Sequence, residues 1–170
     1  LRTLYMLADG TSLRAGRFLE ELDAFAADVS VRHLTAGGRD GLSPPLAVVT
    51  AAHDGLSIFT ALSAVHDFRL RGAVVSVGTT SMEVRTDVLR VEQVGDDDDA
   101  DSDEMKETLL GSCHTIMVAR DAATFERATV PPLRGGDKES AEREKEARQR
   151  QARRKTLRDG NLRIKPPMPD

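Results

Sequence analysis

Leu13-Arg14-Ala15-Gly16-Arg17-Phe18-Leu19-Glu20-Glu21-Leu22-Asp23, with the apolar run that carries on to His33, decides the fold. Phe18, Leu19, Leu22, Phe25, Ala26 and Val29 recur at helical spacing, so the stretch from Gly16 to about His33 predicts one amphipathic helix. It is too long for a single strand, and its alanines favour helix. Asp23 falls near the middle, seven residues after Gly16. Beside Glu20 and Glu21, the local pattern reads Asp23 as part of a solvated helix face. A carboxylate within an otherwise apolar helix can also serve as a general base or a nucleophile when it is held near an electrophile.

Around this helix the chain reads mainly as strand. Arg2 to Leu7 is a short apolar run expected to form a strand, and Asp9-Gly10-Thr11 is a turn signal. Thr35 to Pro45 reads as a Gly- and Pro-rich loop. Leu46 to Phe59 predicts one strand broken at Asp54-Gly55. Asp67 to Val77 and Ser81 to Glu92 alternate in polarity. In the second of these, Met82, Val84, Thr86 and Val88 share a face, with Glu83, Arg85 and Asp87 opposite. Gly95 to Glu104 is an acidic loop without the ordered ligand spacing of a calcium site. Thr108 to Arg120 is the last strand, and Pro131-Pro132 with Gly135-Gly136 end the compact part. One long helix followed by several strands is an α+β layout, with the helix packed on a sheet. No internal repeat is visible.

Composition narrows the function classes. Hydrophobic residues make up 39% of the chain, enough for an ordinary core; tryptophan is absent, so that core is aliphatic. Cys113 is the only cysteine, which excludes an internal disulfide. His53, His66 and His114 show no metal-ligand spacing with one another or with Cys113, so no metal site is expected. No apolar run approaches the roughly 18 residues a membrane span needs. No targeting segment is visible, but the chain begins at Leu1 rather than Met, so this carries no weight. Residues 137–158 have strong helix formers, almost no apolar residues and a basic second half: Arg148, Arg150, Arg153, Arg154, Lys155 and Arg158. A helix that is polar all round is solvent-bridging or binds something. The chain therefore divides into residues 1–132, with an insertion at 95–104, and a charged helix and tail at 133–170.

Four segments carry a resemblance: Gly16 through Asp23 to His33; Val48-Val49-Thr50-Ala51-Ala52-His53-Asp54; Val77-Gly78-Thr79-Thr80-Ser81-Met82-Glu83-Val84; and Val118-Ala119-Arg120-Asp121. Together, from about Leu1 to Pro132, they resemble the hotdog-fold acyl-CoA thioesterases, most closely the mitochondrial type with two hotdog domains in one chain. The resemblance implies a hotdog fold, an antiparallel sheet wrapped around one long helix, with a charged C-terminal helix leading away. It implies hydrolysis of fatty acyl-CoA to free fatty acid and CoA, with a coenzyme A thioester as substrate and no cofactor. Asp23 stands where the family keeps its catalytic carboxylate. Backbone N–H groups near Gly16 and Arg17 would form the oxyanion site, and Gly78, Thr79, Thr80, Ser81 and Met82 would border the pantetheine and acyl channel. His33 corresponds to a structural marker. The family's sites form between two hotdog units, so a second unit is expected, as a homodimer or a separate chain. A mitochondrial location follows from the same resemblance.

The chain also departs from the pattern. Thr79 stands where relatives often carry a basic residue, His53 where a bulky residue is expected, and Gly55 where a basic one is. These departures, with the charged tail, leave a second expectation open: a catalytically inactive hotdog subunit in a mitochondrial assembly such as a ribosome or respiratory complex, joined through the basic helix 137–158. A sensor that binds acyl-CoA without cleaving it is a third.

Overall fold

The computed structural model describes residues 2–36, 46–93, 105–133 and 138–161. In chain order the elements are α1 (Arg2–Tyr5), α2 (Ala15–Ala36), β1 (Leu46–Ile58), β2 (Asp67–Val77), β3 (Ser81–Gln93), β4 (Met105–Asp121) and α3 (Lys138–Asn161). The four strands form one antiparallel sheet in the order β1-β4-β3-β2. The chain separates into two compact units, Leu1–Pro132 and Leu133–Asp170. Of the loop expected from Thr35 to Pro45, Thr35 and Ala36 belong instead to α2; residues 37–45 and the acidic stretch at 95–104 lie outside the described residues.

The helix lies across one face of the sheet. Phe18, Leu22, Ala26, Ser30 and Leu34 are buried, a stripe at spacing four that turns slowly around the helix and follows the twist of the strands beneath. Leu19, expected on the apolar face, is instead exposed. Ser30 is tolerated in the stripe because its hydroxyl donates to the Ala26 carbonyl at 2.8 Å. On the sheet side, Cys113, Thr115, Met117 and Ala119 of β4 and Met82, Val84, Thr86 and Val88 of β3 are buried. The alternation read from β3 thus holds, although Glu83 on its other face is buried as well. The core has two clusters: Ala26, Leu34, Met82, Val84, Met117 and Ala119 in one, and Phe18, Leu22, Val88, Leu110 and Cys113 in the other. Each large side chain such as Leu22 or Met117 contributes about 1.5–3 kcal/mol by leaving water.

Two glycines permit close approach. A Cβ on Gly72 of β2 would stand 2.6 Å from Phe25 Cε1 and 2.8 Å from Val29 Cγ2, so this glycine lets α2 settle onto the sheet. A Cβ on Gly111 of β4 would stand 2.6 Å from the Ser57 carbonyl oxygen, so here two strand backbones meet.

The expected strand at Arg2–Leu7 is corrected: Arg2–Tyr5 is a single helical turn, followed by an isolated bridge from Met6 to Leu13. A short apolar run does not distinguish the two conformations. What decides it is the next turn, where the Asp9 carboxylate accepts the Thr11 and Ser12 N–H groups at 3.0 and 2.9 Å and Gly10 takes a φ of +73°. The Ser12 hydroxyl, which donates to the other carboxylate oxygen, and then these two N–H groups hold the Asp9 carboxyl down at about 2.

β1 is one strand, irregular where Asp54-Gly55 suggested a break. Its register against β4 slips between Thr50 and Ala52, and again between His53 and Leu56. Gly55 takes a φ of +93°, a conformation that glycine adopts without strain.

After β4 the chain turns back. Ala128 N–H donates to the Ala119 carbonyl and Val130 N–H to the Thr79 carbonyl, while His33 Nε2 meets the Pro131 carbonyl at 3.0 Å. His33 therefore fastens the end of α2 to this returning segment. Within the second unit, α3 carries i,i+4 pairs Glu144–Arg148 and Glu146–Arg150, at 2.7 and 3.8 Å, with Lys145 on Glu142 at 3.3 Å. No described helix is long and apolar enough to cross a membrane.

Candidate active site

Asp23 leaves the core-facing stripe of α2 on the β1 side. Its Oδ1 accepts the Thr50 hydroxyl at 2.6 Å, and His53 Nε2 stands 3.5 Å from the same oxygen. The Asp23 side chain is 47% exposed and that of His53 34%, so water reaches both. Among the described residues, no hydrogen bond occupies Oδ2 of Asp23. The carboxylate is thus held by one oxygen.

The support runs down into β4. His53 Nδ1 meets Thr115 Oγ1 at 3.1 Å and lies 3.9 Å from Cys113 Sγ, which is itself 3.7 Å from Thr115 Oγ1. Thr115 and Cys113 are fully buried. Burial pushes the Cys113 thiol up, with the Thr115 hydroxyl working against it, so Cys113 stays a neutral thiol. The Thr50 hydroxyl also lies 3.4 Å from Met117 Sδ. It has one proton, and a carboxylate is the stronger acceptor.

The bulges of β1 assemble this set. Thr50 pairs with Met117 and His53 with Thr115, partners two apart on β4 and three apart on β1. The extra residue at the first register shift brings Thr50 and His53 to the same face, toward α2. Thr50, His53 and Thr115 were not selected from the sequence as site residues. A local period of two hides the first pair, and Thr115 is 62 positions from His53.

The other expected site residues lie apart from this cluster. Gly16 and Arg17 are in the first turn of α2, where N–H groups have no partner within the helix. Seven residues at 1.5 Å each set Gly16 about 10 Å along the axis from Asp23. The Arg17 guanidinium pairs with Glu20. Gly78, Thr79 and Thr80 form the tight turn between β2 and β3: Gly78 N–H donates to the Ser81 carbonyl at 2.7 Å, and the Thr79 and Thr80 carbonyls accept from Val130 and Ala119. Met82 is packed beneath α2 in the core. It shares a row of the sheet with Met117 and Thr50, so it supports the floor near Asp23.

On the opposite flank of α2, an apolar cavity of about 290 Å³ lies against β2, with Leu13, Phe18, Phe68 and Leu70 in its wall. Glu21 lines it and Asp23 does not, as expected for residues two apart on a helix. Among the described residues, no group of three His, Cys, Asp or Glu side chains could hold a metal ion.

An antiparallel sheet folded over one long helix, with a half-exposed carboxylate on that helix, defines a hotdog domain. The solved structures agree. An apo-hexameric acyl-CoA thioesterase superposes with a TM-score of 0.71 at 25% identity, covering 90% of this chain and 85% of that one. An acyl-CoA hydrolase from Staphylococcus aureus, in complex with butyryl coenzyme A, superposes with a TM-score of 0.71 at 23% identity, over 94% and 84% of the two chains, and supports the fold alone. In sequence, the chain is 32% identical over 118 residues to mitochondrial acyl-coenzyme A thioesterase 4 of Humulus lupulus, covering 69% of this chain and 21% of that protein. It is 32% identical over 143 residues to mitochondrial acyl-coenzyme A thioesterase 9 of Mus musculus, covering 84% and 30%. No protein-family model matches. The chain belongs to the hotdog-fold acyl-CoA thioesterase family, and spans between a fifth and a third of the length of the curated relatives it matches.

Proposed function

We propose that this chain hydrolyses acyl-CoA thioesters, with Asp23 as general base. The observation that carries the proposal is the state of that carboxylate: Oδ1 held at 2.6 Å by Thr50, on a side chain that is 47% exposed. Oδ2 takes a proton from water as the water oxygen bonds to the thioester carbonyl carbon. The tetrahedral intermediate then collapses, the C–S bond breaks, and Asp23 returns the proton to the CoA sulfur. One water and one thioester become one carboxylic acid and one thiol. Gly78 to Ser81 border the ligand on this reading. The names of the relatives support the substrate class and do not support the alternative of an inactive structural subunit.

The site also calls for a second hotdog unit, from another copy or a separate chain. A base and an oxyanion donor acting on one carbonyl must both come within about 3 Å of the reacting group. The roughly 10 Å between Asp23 and the first turn of α2 is too far for both roles to be filled from one helix, so the first turn of a partner's helix supplies the N–H donors. Edge strand β1, with Val49, Leu56 and Ile58 exposed, is the surface for that pairing. The relatives named mitochondrial support a mitochondrial location.

The test is hydrolysis of a panel of short- to long-chain acyl-CoAs, with free thiol detected, by the chain and by Asp23→Asn. Turnover that collapses in Asp23→Asn supports the assignment. No turnover of any thioester by a folded multimer overturns it.

A further inference from the structure

His53 stands where the family pattern has a bulky residue, yet each of its ring nitrogens faces a polar partner. We propose that His53 is a positioning residue for Asp23: with Thr50 it orients Oδ1 and so aims Oδ2 at the substrate. This deepens the hydrolytic reading and rests on it.

The geometry assigns the resting state. Thr115 is fully buried and its hydroxyl lies 3.1 Å from Nδ1. When Thr115 donates there, the neutral ring carries its proton on Nε2, the nitrogen that faces Asp23 at 3.5 Å. That distance is longer than a formed N–H···O bond, so Nε2–H orients and stabilises the carboxylate electrostatically while Thr50 makes the short bond. The titratable groups facing the ring are Asp23 from α2 and Cys113 from β4, with Asp54 next to it on β1. Cys113 is a neutral thiol, so the charge that the ring meets from α2 and β4 is that of Asp23.

The consequence is one of geometry. In His53→Gln the amide N–H stands near the position of Nε2 and still faces Oδ1, whereas His53→Ala leaves that oxygen to Thr50 alone.

The experiment measures kcat and KM from pH 4 to 9 for wild type, His53→Gln and His53→Ala, using the acyl-CoA that wild type hydrolyses fastest. It also records ¹⁵N shifts of the His53 ring in wild type and Thr115→Val. His53→Ala should lose about tenfold in kcat with KM nearly unchanged, the scale of one mispositioned catalytic group. His53→Gln should recover most of that loss. The ring should carry its proton on Nε2 in wild type and lose that preference in Thr115→Val. No recovery of kcat in His53→Gln, or full kcat in His53→Ala, overturns the proposal, as does an Nδ1–H tautomer in wild type. Absence of turnover in wild type would defeat the hydrolytic reading, while the tautomer measurement would still judge the geometry.

Discussion

Thr50→Val removes one hydroxyl and keeps the side chain's shape. The bond it deletes is the 2.6 Å donation to Asp23 Oδ1. A hydrogen bond to a charged group contributes about 1.5–3 kcal/mol when sheltered. Asp23 is 47% exposed, so water replaces part of what is lost. Roughly half of the sheltered value, about 0.75–1.5 kcal/mol, is expected, equivalent to a fall of about four- to twelvefold in kcat/KM. Stability should change by no more than about 0.5 kcal/mol, because Thr50 is half-buried and the carboxylate remains hydrated. Thr50→Ser, which restores the donor, should recover most of the activity. The assay is thiol release at saturating and sub-saturating acyl-CoA, with urea unfolding run in parallel. Thr50→Val should cost nothing further in an Asp23→Asn background, since the charge that made the bond strong is gone. Unchanged kcat/KM in Thr50→Val, or an equal loss in both backgrounds, would refute the idea that this hydroxyl holds the base.

Gly111→Ala should lower the urea midpoint by the equivalent of about 2–3 kcal/mol and Gly72→Ala by about 1 kcal/mol. The first sets a Cβ against the Ser57 backbone and the second against the movable ends of Phe25 and Val29; the reverse order would refute the distinction. Thr86→Val should stabilise by about 1 kcal/mol in the same assay, because the buried Thr86 hydroxyl has no hydrogen-bond partner among the described residues; a loss of stability would reveal a partner. Asp9→Asn should lower the melting temperature at neutral pH, and the gap from wild type should close as pH falls toward 2. The Asp9 carboxyl, held at about 2, contributes stability above the ordinary carboxylate range and loses it as pH falls through its folded value. A gap that persists at pH 2 would show that ionisation is not the cause.

What the sequence revealed followed periodicity. β2 was read at its observed bounds because Phe68, Leu70 and Val74 alternate cleanly, and α2 was read as a helix, though three residues short at its C-terminal end, because its apolar spacing persists over several turns. Arg2 to Leu7 was misread because six residues carry too little period to separate a helical turn from a strand, and Asp9 settled the matter from outside the run. Leu19 looked apolar and in phase, but the buried stripe keeps to a spacing of four and passes it by. Asp23 was visible only through the family resemblance, since its neighbours Glu20 and Glu21 give it the look of a wet helix face. Its partners were invisible for a different reason: Thr50 lies 27 residues away and Thr115 92 residues away from it, and neither occupies a distinctive local pattern.

The irregularity of β1 is what makes an ordinary strand into a site. In a regular strand, Thr50 and Ala52 would face α2 while Ala51 and His53 faced away. The register slip after Thr50 reverses that alternation, so a donor and an imidazole three positions apart meet one carboxylate oxygen. The second slip, at Gly55, lets β1 rejoin β4 at Leu56 and Cys113. Between the two slips the strand is fixed by His53 and Thr115, and beyond them by the tight passage of Gly111 against Ser57. The same strand is the edge of the sheet, so a second unit that pairs with it would lie against the residues that aim Asp23. On the proposed pairing, catalytic geometry and assembly would be coupled through one element. Loosening β1 at Gly55, or its passage against Gly111 of β4, should then weaken both, whereas changing Thr50 or His53 should weaken hydrolysis alone.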